Sequence, residues 1–471
     1  MRKLIVPATF TALVLSMQGV CAQTQEQRST LADQREVAVT IYNDNLALVK
    51  DQRRIQLKTG ATALAFRDVS ARMRPETALL RSVSAPGALS VLEQNFDFDL
   101  LTPQKMLEKY VGQTVNVVRT NPATGTETTE SATVLSANNG VVLQIGQRIE
   151  TGIPGRLVFG SVPANLRDRP TLSVLLEAAG GKQAVELSYL TGGLSWQADY
   201  VANLATDGKS LDLNAWVTLT NRSGAGFDDA TLQLVAGTVN RVRQTDSRVF
   251  AMAPAAARAK SQEATQEALL DYHLYSFERP TGIADNQTKQ LALLAASAVP
   301  VRREYLLAGN DWYYRDRQGQ IGQKLKPAIF LEFHNQGGQL GKPLPAGIVR
   351  VYARDSKGAA QFVGEDRIGH TAKNEKLKLR LGEAFDITAE RRQTSYRRIA
   401  DNVSESAWRI ELRNAKDDAV TVRVQEPLPG DWEMLQQSHP HSKESARVAA
   451  WNVAVPAGGT TLLEYTVRVK W

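Results

Sequence analysis

Cysteine is nearly absent from this chain of 471 residues, whose only copy is Cys21. A single thiol excludes an intramolecular disulfide and a cluster of thiolate metal ligands, so packing and hydrogen bonds must hold the fold together. Long apolar runs are also missing. No stretch of about 18 apolar residues follows residue 22, and the sequence therefore predicts no membrane-spanning helix beyond that point.

The motifs of common catalytic mechanisms are missing as well. Ser195 follows Gly193 at the spacing of a nucleophile elbow, but Gln197 stands where the second glycine is needed. Neither a zinc-protease H-E-x-x-H nor a phosphate-binding glycine loop occurs. The close histidine pair, His439 and His441, has no acidic third ligand nearby, which favours an exposed loop over a metal site. The sequence therefore favours a protein without catalytic activity, cofactor or metal.

The first residues predict export. Arg2 and Lys3 give a cationic start, residues 4–15 form an apolar run too short to span a bilayer, and residues 20–22 suit cleavage. We expect a signal peptide over residues 1–22, a mature chain that begins at Gln23, and a periplasmic or secreted product. The net charge of +7 is not concentrated in a basic stripe, so we expect no nucleic-acid partner.

Alternation of apolar and polar residues dominates the rest of the chain and predicts strands with one buried face. Turns rich in glycine and asparagine separate these stretches, which favours antiparallel sheets over parallel sheets joined by helices. We therefore expect a mainly β protein of tandem antiparallel immunoglobulin-like β-sandwich units with few helices. The clearest alternating stretches are residues 37–42, 230–235, 347–352 and 376–381.

One helix is expected near residue 103. Thr102 can cap its first turn, Pro103 suits the first helical position, and Met106, Leu107 and Tyr110 recur at helical spacing. Four short strands are predicted after it, at 114–119, 131–135, 141–145 and 156–159. This order favours a small SH3-like or Sm-like barrel inserted at about 103–162, with the helix as a cap over one end.

The composition breaks at residues 251–268, which are rich in Ala, Gln, Glu and Ser and predict a flexible linker. We expect it to separate an N-terminal β-sandwich half at 23–240 from a C-terminal half at 269–471 that ends in an immunoglobulin-like sandwich. On both sides of the break, strands with two inward apolar residues end in an asparagine, at Asn221, Asn335 and Asn414. Asparagine can bond the turn that follows a strand, so the repeated pattern supports at least two sandwich units.

Several stretches resemble one family. The most distinctive runs from Ser188 to Tyr200, and others lie at 42–49, 215–224, 232–237, 345–352 and 362–366. Together they resemble exported bacterial proteins catalogued as a domain of unknown function, the domain that also forms the C-terminal part of mucoidy-inhibitor-A-like proteins. The resemblance implies a β-rich exported protein and no known catalytic residues. Residues 23–36 are too short to hold the N-terminal coiled coil of the mucoidy-inhibitor members.

One pair of carboxylates is a candidate for catalysis. Asp97 and Asp99 share a side of an alternating stretch in which Phe96 and Phe98 are expected to face the core. Two carboxylates on one face suit sugar hydrolysis, which needs a proton donor and a nucleophile or base. Calcium binding through the same oxygens is an alternative, and a solvated strand face is the favoured interpretation.

A dense aromatic cluster is a candidate for ligand binding. Trp312, Tyr313 and Tyr314 follow one another, and flat rings of this kind can stack on the faces of a sugar. Packing in a core or a hairpin is the more common use of such a cluster, and we favour it. A turn at residues 317–320 would then close the hairpin.

A run of arginines is the second candidate for ligand binding. Alternation would place its members on both faces of a strand, and a buried face does not accept unpaired charges. We therefore expect the run at an exposed sheet edge or in a loop. There it either protects the edge from aggregation or contacts an anionic envelope polymer. The run comprises Arg391, Arg392, Arg397 and Arg398.

The chain ends on alternating apolar residues, a pattern typical of the last strand of an outer-membrane barrel. Such barrels need strands of about ten residues, whereas most strands predicted here are about five to seven residues long. The tail therefore favours the final strand of a sandwich. Its apolar residues are Leu463, Tyr465, Val467, Val469 and Trp471.

These observations lead to one expected function and two alternatives. We expect a non-catalytic binding or structural protein of the cell envelope, whose partner is a protein or an anionic polysaccharide. The first alternative is a polysaccharide-active hydrolase that uses Asp97 and Asp99. The second is an outer-membrane β-barrel protein.

Overall fold

The computed structural model describes residues 26–43, 45–163, 165–237, 265–269 and 272–471, with only the backbone for residues 265–269. The predicted signal peptide at 1–22 lies outside the described residues, as does the predicted linker at 251–268 apart from the backbone of its last residues. Both stay predictions.

Strands dominate the described chain, which confirms a mainly β fold with few helices. The one α-helix of the described residues, α1 (Pro103–Lys109), is too short to span a membrane. Single turns of 3-10 helix occur at Leu31–Asp33, Pro75–Thr77 and Asp311–Tyr314. The strands are β1 (Gln27–Ser29), β2 (Gln34–Tyr42), β3 (Leu46–Arg67), β4 (Leu79–Ser82), β5 (Leu89–Asp97), β6 (Thr114–Thr120), β7 (Glu127–Ser136), β8 (Val142–Ile145), β9 (Arg148–Thr151), β10 (Arg156–Val158), β11 (Thr171–Thr191), β12 (Leu194–Leu204), β13 (Ser210–Asn221), β14 (Phe227–Ala236), β15 (Thr265–Leu269), β16 (Tyr272–Ser276), β17 (Thr281–Ile283), β18 (Gln287–Pro300), β19 (Arg302–Ala308), β20 (Gln320–Leu325), β21 (Ala328–His334), β22 (Gly347–Arg354), β23 (Ala360–Ile368), β24 (Lys376–Glu383), β25 (Ile387–Ala400), β26 (Val403–Asn414), β27 (Val420–Pro427), β28 (Asp431–Gln437), β29 (Ser442–Ser445), β30 (Val448–Val455) and β31 (Thr460–Lys470).

The described chain forms two compact units. The first contains the described residues up to Glu36 and from Lys50 to Tyr189, and the second contains Val37–Val49 and the described residues from Leu190 to Trp471. These boundaries differ from the predicted halves at 23–240 and 269–471. Because the linker expected to divide those halves lies outside the described residues, that division stays a prediction.

In the first unit, the predicted insertion is a helix followed by five short strands. The side-chain oxygen of Thr102 accepts the N–H of Lys105 at 3.1 Å and caps α1, as predicted. Met106, Leu107 and Tyr110 pack into the core of a sheet with the order β10-β6-β7-β8-β9. The edge strands β9 and β10 are not paired with each other in the described structure, so this sheet stays open. The short polar strand β9 is the one that alternation did not predict.

The second unit contains two sheet layers that face each other, and β12 belongs to one of them. This strand is central in a sheet with the order β18-β13-β12-β22-β23, where it pairs antiparallel with β13 and parallel with β22. The other layer contains β14, which pairs with β2 and β16. The ring of Trp196 on β12 lies edge-on to the ring of Tyr275 on β16, with centroids 6.3 Å apart. This contact brings inward side chains of the two layers together.

The last residues of the second unit form a separate sandwich. Its two sheets have the orders β24-β21-β19-β27-β30-β29 and β20-β25-β26-β31-β28. One apolar cluster contains buried residues from both sheets, including Val422, Trp451, Trp408 and Leu463. The inward residues of β31, among them Tyr465, are almost fully buried. The tail is therefore the final strand of a sandwich, as predicted, and it lies between β26 and β28 in its sheet.

An asparagine ends or directly follows three of the strands in the second unit, as the sequence pattern predicted. Asn221, Asn335 and Asn414 are 0%, 0% and 2% exposed, and the two apolar residues before each of them are buried. Buried backbone groups at a strand exit need hydrogen-bond partners, because water cannot reach them. Each asparagine supplies such partners, and we call the arrangement an asparagine corner.

The corner at Asn414 ties the turn after β26 to the turn after β30. Its side-chain oxygen accepts the N–H of Lys416 at 3.0 Å, and its amide donates to the carbonyl oxygens of Asp418 at 2.8 Å and Pro456 at 3.0 Å. One side chain thus satisfies an N–H group and two carbonyl groups from two separate turns. This links the two sheets of the sandwich at one end.

The other two corners use the same bonds, with a turn of the same length at Asn221 and a longer turn at Asn335. Asn221 donates to the carbonyl oxygen four residues ahead, at 2.8 Å, and to that of Ala284 at 3.1 Å. Asn335 donates to the carbonyl oxygen seven residues ahead, at 2.6 Å, and to that of Ala372 at 2.9 Å. All three corners therefore form the same set of bonds, although the turn at Asn335 is longer than the other two.

Two buried carboxylates lie on the six-stranded sheet of the C-terminal sandwich. Glu332 accepts hydrogen bonds from Arg302 at 2.5 Å and lies 2.9 Å from the ammonium of Lys376. Glu304 is paired with Lys378 and lies 3.1 Å from a guanidinium nitrogen of Arg423. Burial alone would raise the pKa of Glu332, but hydrogen bonds from its cationic partners lower it from 4.5 to about 2.

Loss of an asparagine corner should destabilise the C-terminal sandwich. Asn414→Ala leaves an N–H and two carbonyl groups without partners, so we expect a loss of about 2–4 kcal/mol in the free energy of unfolding. Urea unfolding followed by tryptophan fluorescence measures the loss. Asn116→Ala is the matched control, because Asn116 is exposed on β6 and should change stability by less than about 0.5 kcal/mol. Equal effects of the two substitutions would contradict this role.

Glu332 should make the protein sensitive to acid. Because its pKa in the folded state is lowered to about 2 from 4.5, its stabilising contribution is present above pH 4.5 and is lost as the pH falls toward 2. The contribution should be at most about 3 kcal/mol. Glu332→Gln should therefore be less stable at neutral pH and lose less stability on acidification, measured by urea unfolding at each pH. Glu383→Gln, at an exposed carboxylate on the same sheet, should retain the full acid dependence.

Candidate functional site

Arg391 and Arg392 lie on an inner stretch of strand, which corrects for these two the expectation of an exposed edge or loop. All four arginines belong to β25, which pairs with β26 along its length but with β20 only as far as Arg392, so Arg397 and Arg398 lie on an exposed edge as expected. Arg391 is 1% exposed and points into the core, whereas Arg392 is exposed on the opposite face. The strand accepts a buried arginine because a buried carboxylate from another strand neutralises it.

That carboxylate belongs to Glu426 on β27, and it is fully buried. A guanidinium nitrogen of Arg391 lies 2.6 Å from one oxygen of Glu426, and the hydroxyl of Tyr314 donates to the other at 2.8 Å. The hydroxyl of Tyr465 lies 2.8 Å from that of Tyr314. Because Tyr314 uses its own hydrogen on Glu426, Tyr465 must be the donor in this last bond. We call these four residues the polar core.

The aromatic cluster contributes to the polar core, in agreement with its predicted packing role. It forms a 3-10 turn at Asp311–Tyr314 instead of the hairpin that was offered as an alternative. Tyr314 is fully buried, and the ring of Tyr313 lies 5.1 Å from the guanidinium of Arg391. Trp312 is 45% exposed and packs edge-on against Tyr313. Ligand binding by Trp312 stays a prediction.

Burial dominates the electrostatics of the polar core. It raises the pKa values of Tyr314 and Tyr465, and the charge of Glu426 adds to the rise, so both hydroxyls stay protonated. Burial also raises the pKa of Glu426, against the opposing effect of Arg391. For Arg391, burial alone would lower the pKa, but the charge of Glu426 raises it on balance. A fully enclosed network of this kind holds a strand in register and has no access for a substrate.

The outer face of the same strand carries a furrow of about 290 Å³. It is lined by Glu390, Arg392, Gln393 and Thr394 on β25 and by Arg409 and Glu411 on β26. The pairing of the two strands shifts between Gln393 and Ser395, so Thr394 forms a bulge beside the furrow. We call this feature the arginine furrow.

Like charges face each other across the arginine furrow. Arg392 is directly opposite Arg409, and Glu390 is directly opposite Glu411. Like charges in directly opposed positions destabilise a sheet. Arg409 is compensated by Glu464, whose oxygen lies 2.8 Å from its guanidinium, but no carboxylate of the described residues lies within 4.0 Å of Arg392. Arg392 is therefore an exposed cation beside a second cation.

The buried side of β25 fixes the position of the furrow. Gln393 is 6% exposed, and its side-chain oxygen accepts the N–H of Gln318 at 2.6 Å. Its own N–H donates to the carbonyl oxygen of Gly319 at 3.2 Å. Together with the ion pair of Arg391, these bonds hold the strand from its inner face. The furrow on the outer face is therefore built on a rigid element.

Arg397 and Arg398 lie beyond the bulge on the same strand and are both exposed. A guanidinium nitrogen of Arg397 lies 2.5 Å from an oxygen of Glu405, which also binds Arg468. Arg398 lies 3.6 Å from Asp401. Of the four arginines in the run, Arg392 is thus the one without a carboxylate partner in the described structure.

Asp97 and Asp99 lie in the first unit and have separate partners. Asp97 accepts hydrogen bonds from Arg167 at 3.0 Å and from Ser173 at 2.7 Å. Asp99 lies 3.1 Å from the ammonium of Lys109, and a hydrogen bond from that group lowers its pKa. A lowered pKa is the opposite of what a proton donor needs. Catalysis by the pair stays a prediction.

The expectation that Phe96 and Phe98 face the core is wrong. Phe98 is 65% exposed and Phe96 is half-buried. Strand β5 ends at Asp97, so Phe98 lies past the point where alternation determines which way a side chain points.

The histidine pair lies in the bend between β28 and β29. His441 is hydrogen-bonded to Gln437, with its Nδ1 2.7 Å from the amide oxygen. His439 is bonded to the hydroxyl of Ser438 at 2.9 Å. In the part of the chain that the structure describes, no three His, Cys, Asp or Glu side chains are grouped closely enough to hold a metal ion.

Sequence reasoning did not identify the residues on other strands that Arg391 and Arg392 meet, which are Glu426 and Arg409. A signal for Glu426 was present, because it continues the inward positions of Val422 and Val424 on β27. A carboxylate at an inward position predicts a buried cation elsewhere in the same core. For Arg409, no local pattern identifies the residue that lies opposite.

Comparison with known proteins identifies one family. A model described as a domain of unknown function, DUF4139, matches residues 185–471. A comparison with curated proteins gave no match. The matched residues include the arginine furrow and the polar core.

The ion pair of the polar core should be costly to break from one side only. Arg391→Met leaves the charge of Glu426 buried and unpaired, so we expect a loss of about 3–5 kcal/mol in the free energy of unfolding. The double variant Arg391→Met with Glu426→Leu removes both charges and should lose much less. Urea unfolding measures the free energy of unfolding of both variants. It is followed by near-ultraviolet circular dichroism, to which the buried Trp408 and Trp451 contribute. Arg392→Met should have almost no effect, and a double variant as unstable as the single one would contradict the pairing.

Proposed function

The chain belongs to the family of the domain of unknown function DUF4139, and for this member we propose a non-catalytic binding protein of the cell envelope that holds an anionic glycan on the arginine furrow. The signal-peptide pattern of residues 1–22 supports an exported, envelope-associated protein. The observation that carries the proposal is the position of Arg392, exposed, directly opposite Arg409 and without a carboxylate partner among the described residues.

An oxyanion between the two guanidinium groups would relieve their repulsion. Arginine donates in a planar fork that matches a carboxylate, and such charge-assisted bonds are stronger than neutral ones. No carboxylate of the described residues lies beside Arg392, so a ligand can supply the oxyanion. Arg409 keeps its bond to Glu464 and can still contribute to the field that attracts an anion.

The two carboxylates in the furrow indicate what kind of anion fits. Glu390 and Glu411 would repel a ligand whose charges are densely spaced, such as a nucleic acid. They can accept hydrogen bonds from hydroxyl groups. A polyuronate has one carboxylate per sugar ring with hydroxyls between successive charges, and this spacing suits a furrow that contains both cations and acids.

Binding to immobilised polygalacturonate tests the proposal. The mature protein should be retained at low salt and released as the ionic strength rises, because exposed charge pairs are screened. Arg392→Ala should weaken binding by about tenfold, the equivalent of one charge-assisted hydrogen bond. Affinity electrophoresis or calorimetry measures the change, with neutral dextran as the ligand control.

Arg317→Ala is the matched protein control, because Arg317 is an exposed arginine of the same sandwich that does not line the furrow. It should bind the polymer as the unaltered protein does. Failure of the unaltered protein to bind would overturn the proposal, and so would undiminished binding by Arg392→Glu. Thermal unfolding of each variant separates a loss of binding from a loss of folding.

A further inference from the structure

A second cavity lies at one end of the six-stranded sheet of the C-terminal sandwich. It has a volume of about 630 Å³, within the range of about 300–1,000 Å³ that is usual for small-ligand clefts. The beginnings of β19 and β27, which run parallel with Tyr305 opposite Val422, form part of its lining. The turn at Asp207 and Gly208 forms another part. We call it the end groove.

Arg303 is the distinctive residue of the end groove. Alternation along β19 places it on the same side of the sheet as Tyr305 and Leu307, which are both buried in the core. Arg303 itself is exposed, because it is near the beginning of the strand. No carboxylate of the described residues lies within 4.0 Å of its guanidinium. The guanidinium of Arg303 therefore lies on the core side of the sheet, at one end of the sandwich, with no carboxylate partner among the described residues.

Gly208 lies close to this guanidinium. A Cβ atom built on Gly208 would lie 3.0 Å from a terminal nitrogen of Arg303, and the backbone there has a φ of +67°, which favours glycine. The turn therefore leaves room for the guanidinium close to the backbone. A side chain at position 208 would crowd the guanidinium and displace it from this place.

Two other cations line the end groove. Lys416 has its ammonium 5.9 Å from the ring centroid of Tyr305 and 4.0 Å from an oxygen of Asp386, so it is only loosely held. Arg302 is engaged by Glu332. The lining acids are Asp207, which accepts the N–H of Lys209 at 2.9 Å, and Asp418, which is exposed. With Arg302 neutralised by Glu332, the cations Arg303 and Lys416 face the acids Asp207 and Asp418 in the lining.

We propose that the end groove is a second binding site, which takes a hydroxylated small molecule bearing a carboxylate or a phosphate, with Arg303 as its main contact. Lys416 is the second cation for the oxyanion, and Asp207 and Asp418 accept hydroxyl groups of the same ligand. The proposal does not depend on the arginine furrow, since the lining residues of the two features do not overlap.

Calorimetry on the mature protein tests the proposal with two probes. Galacturonate presents the carboxylate and glucose 1-phosphate presents the phosphate, while glucose is the neutral control. We expect at least one of the two anions to bind with a dissociation constant below about 10 mM. The stronger binder identifies which oxyanion the groove prefers. No binding of either anion at that concentration would overturn the proposal.

Variants assign the binding to the end groove. Arg303→Ala should weaken it by about tenfold or more, and Arg303→Lys should retain part of it, because the charge remains but the fork is lost. Gly208→Ala should also weaken it, by displacing the guanidinium. Arg317→Ala and Arg392→Ala should leave it unchanged.

Unchanged binding in Arg303→Ala would overturn the assignment to this groove. Weaker binding in Arg392→Ala but not in Arg303→Ala would show that the probes bind the arginine furrow instead. Thermal unfolding of each variant checks that it is folded. If Arg303→Ala does not fold, Lys416→Ala provides an independent test of binding in the end groove.

Discussion

The C-terminal part of this protein depends on satisfying backbone groups at the ends of its sheets. Strands satisfy one another along their length, but the carbonyl and N–H groups in the turns between layers have no such partners. A buried asparagine amide supplies an acceptor and two donors at one point. Asn221, Asn335 and Asn414 do this at three places in the second unit. Chain turns that would otherwise require water are thereby closed inside the protein.

Strand β25 shows how the two faces of one strand can have different roles. Arg391 faces inward to Glu426, and this pair with its two tyrosine hydroxyls keeps the strand at one register. A shift of one residue would place either Glu390 or Arg392 at the position of Arg391 and would turn Arg391 away from Glu426. The register that buries Arg391 therefore also places Arg392 at the furrow.

The parts of the fold that depend on local pattern were predictable from the sequence. Alternation identified the inward residues of β26 and β31, and helix-start signals identified α1, because both rules operate within a few residues. The three asparagines were recognisable for the same reason. The position of Arg391 was not predictable locally, since its partner is 35 residues away and on the opposite sheet. The opposition of Arg392 and Arg409 likewise depends on strand pairing that no short pattern encodes.

The asparagine corners also affect how such a domain can change over evolutionary time. The turn closed by Asn335 is longer than the turns closed by Asn221 and Asn414, yet each amide still captures one N–H and carbonyls from two segments. An insertion or deletion between those anchor points alters the surface without loosening the core beneath it. Related lineages can therefore acquire new loops at these ends while the layers of the sandwich stay as they are.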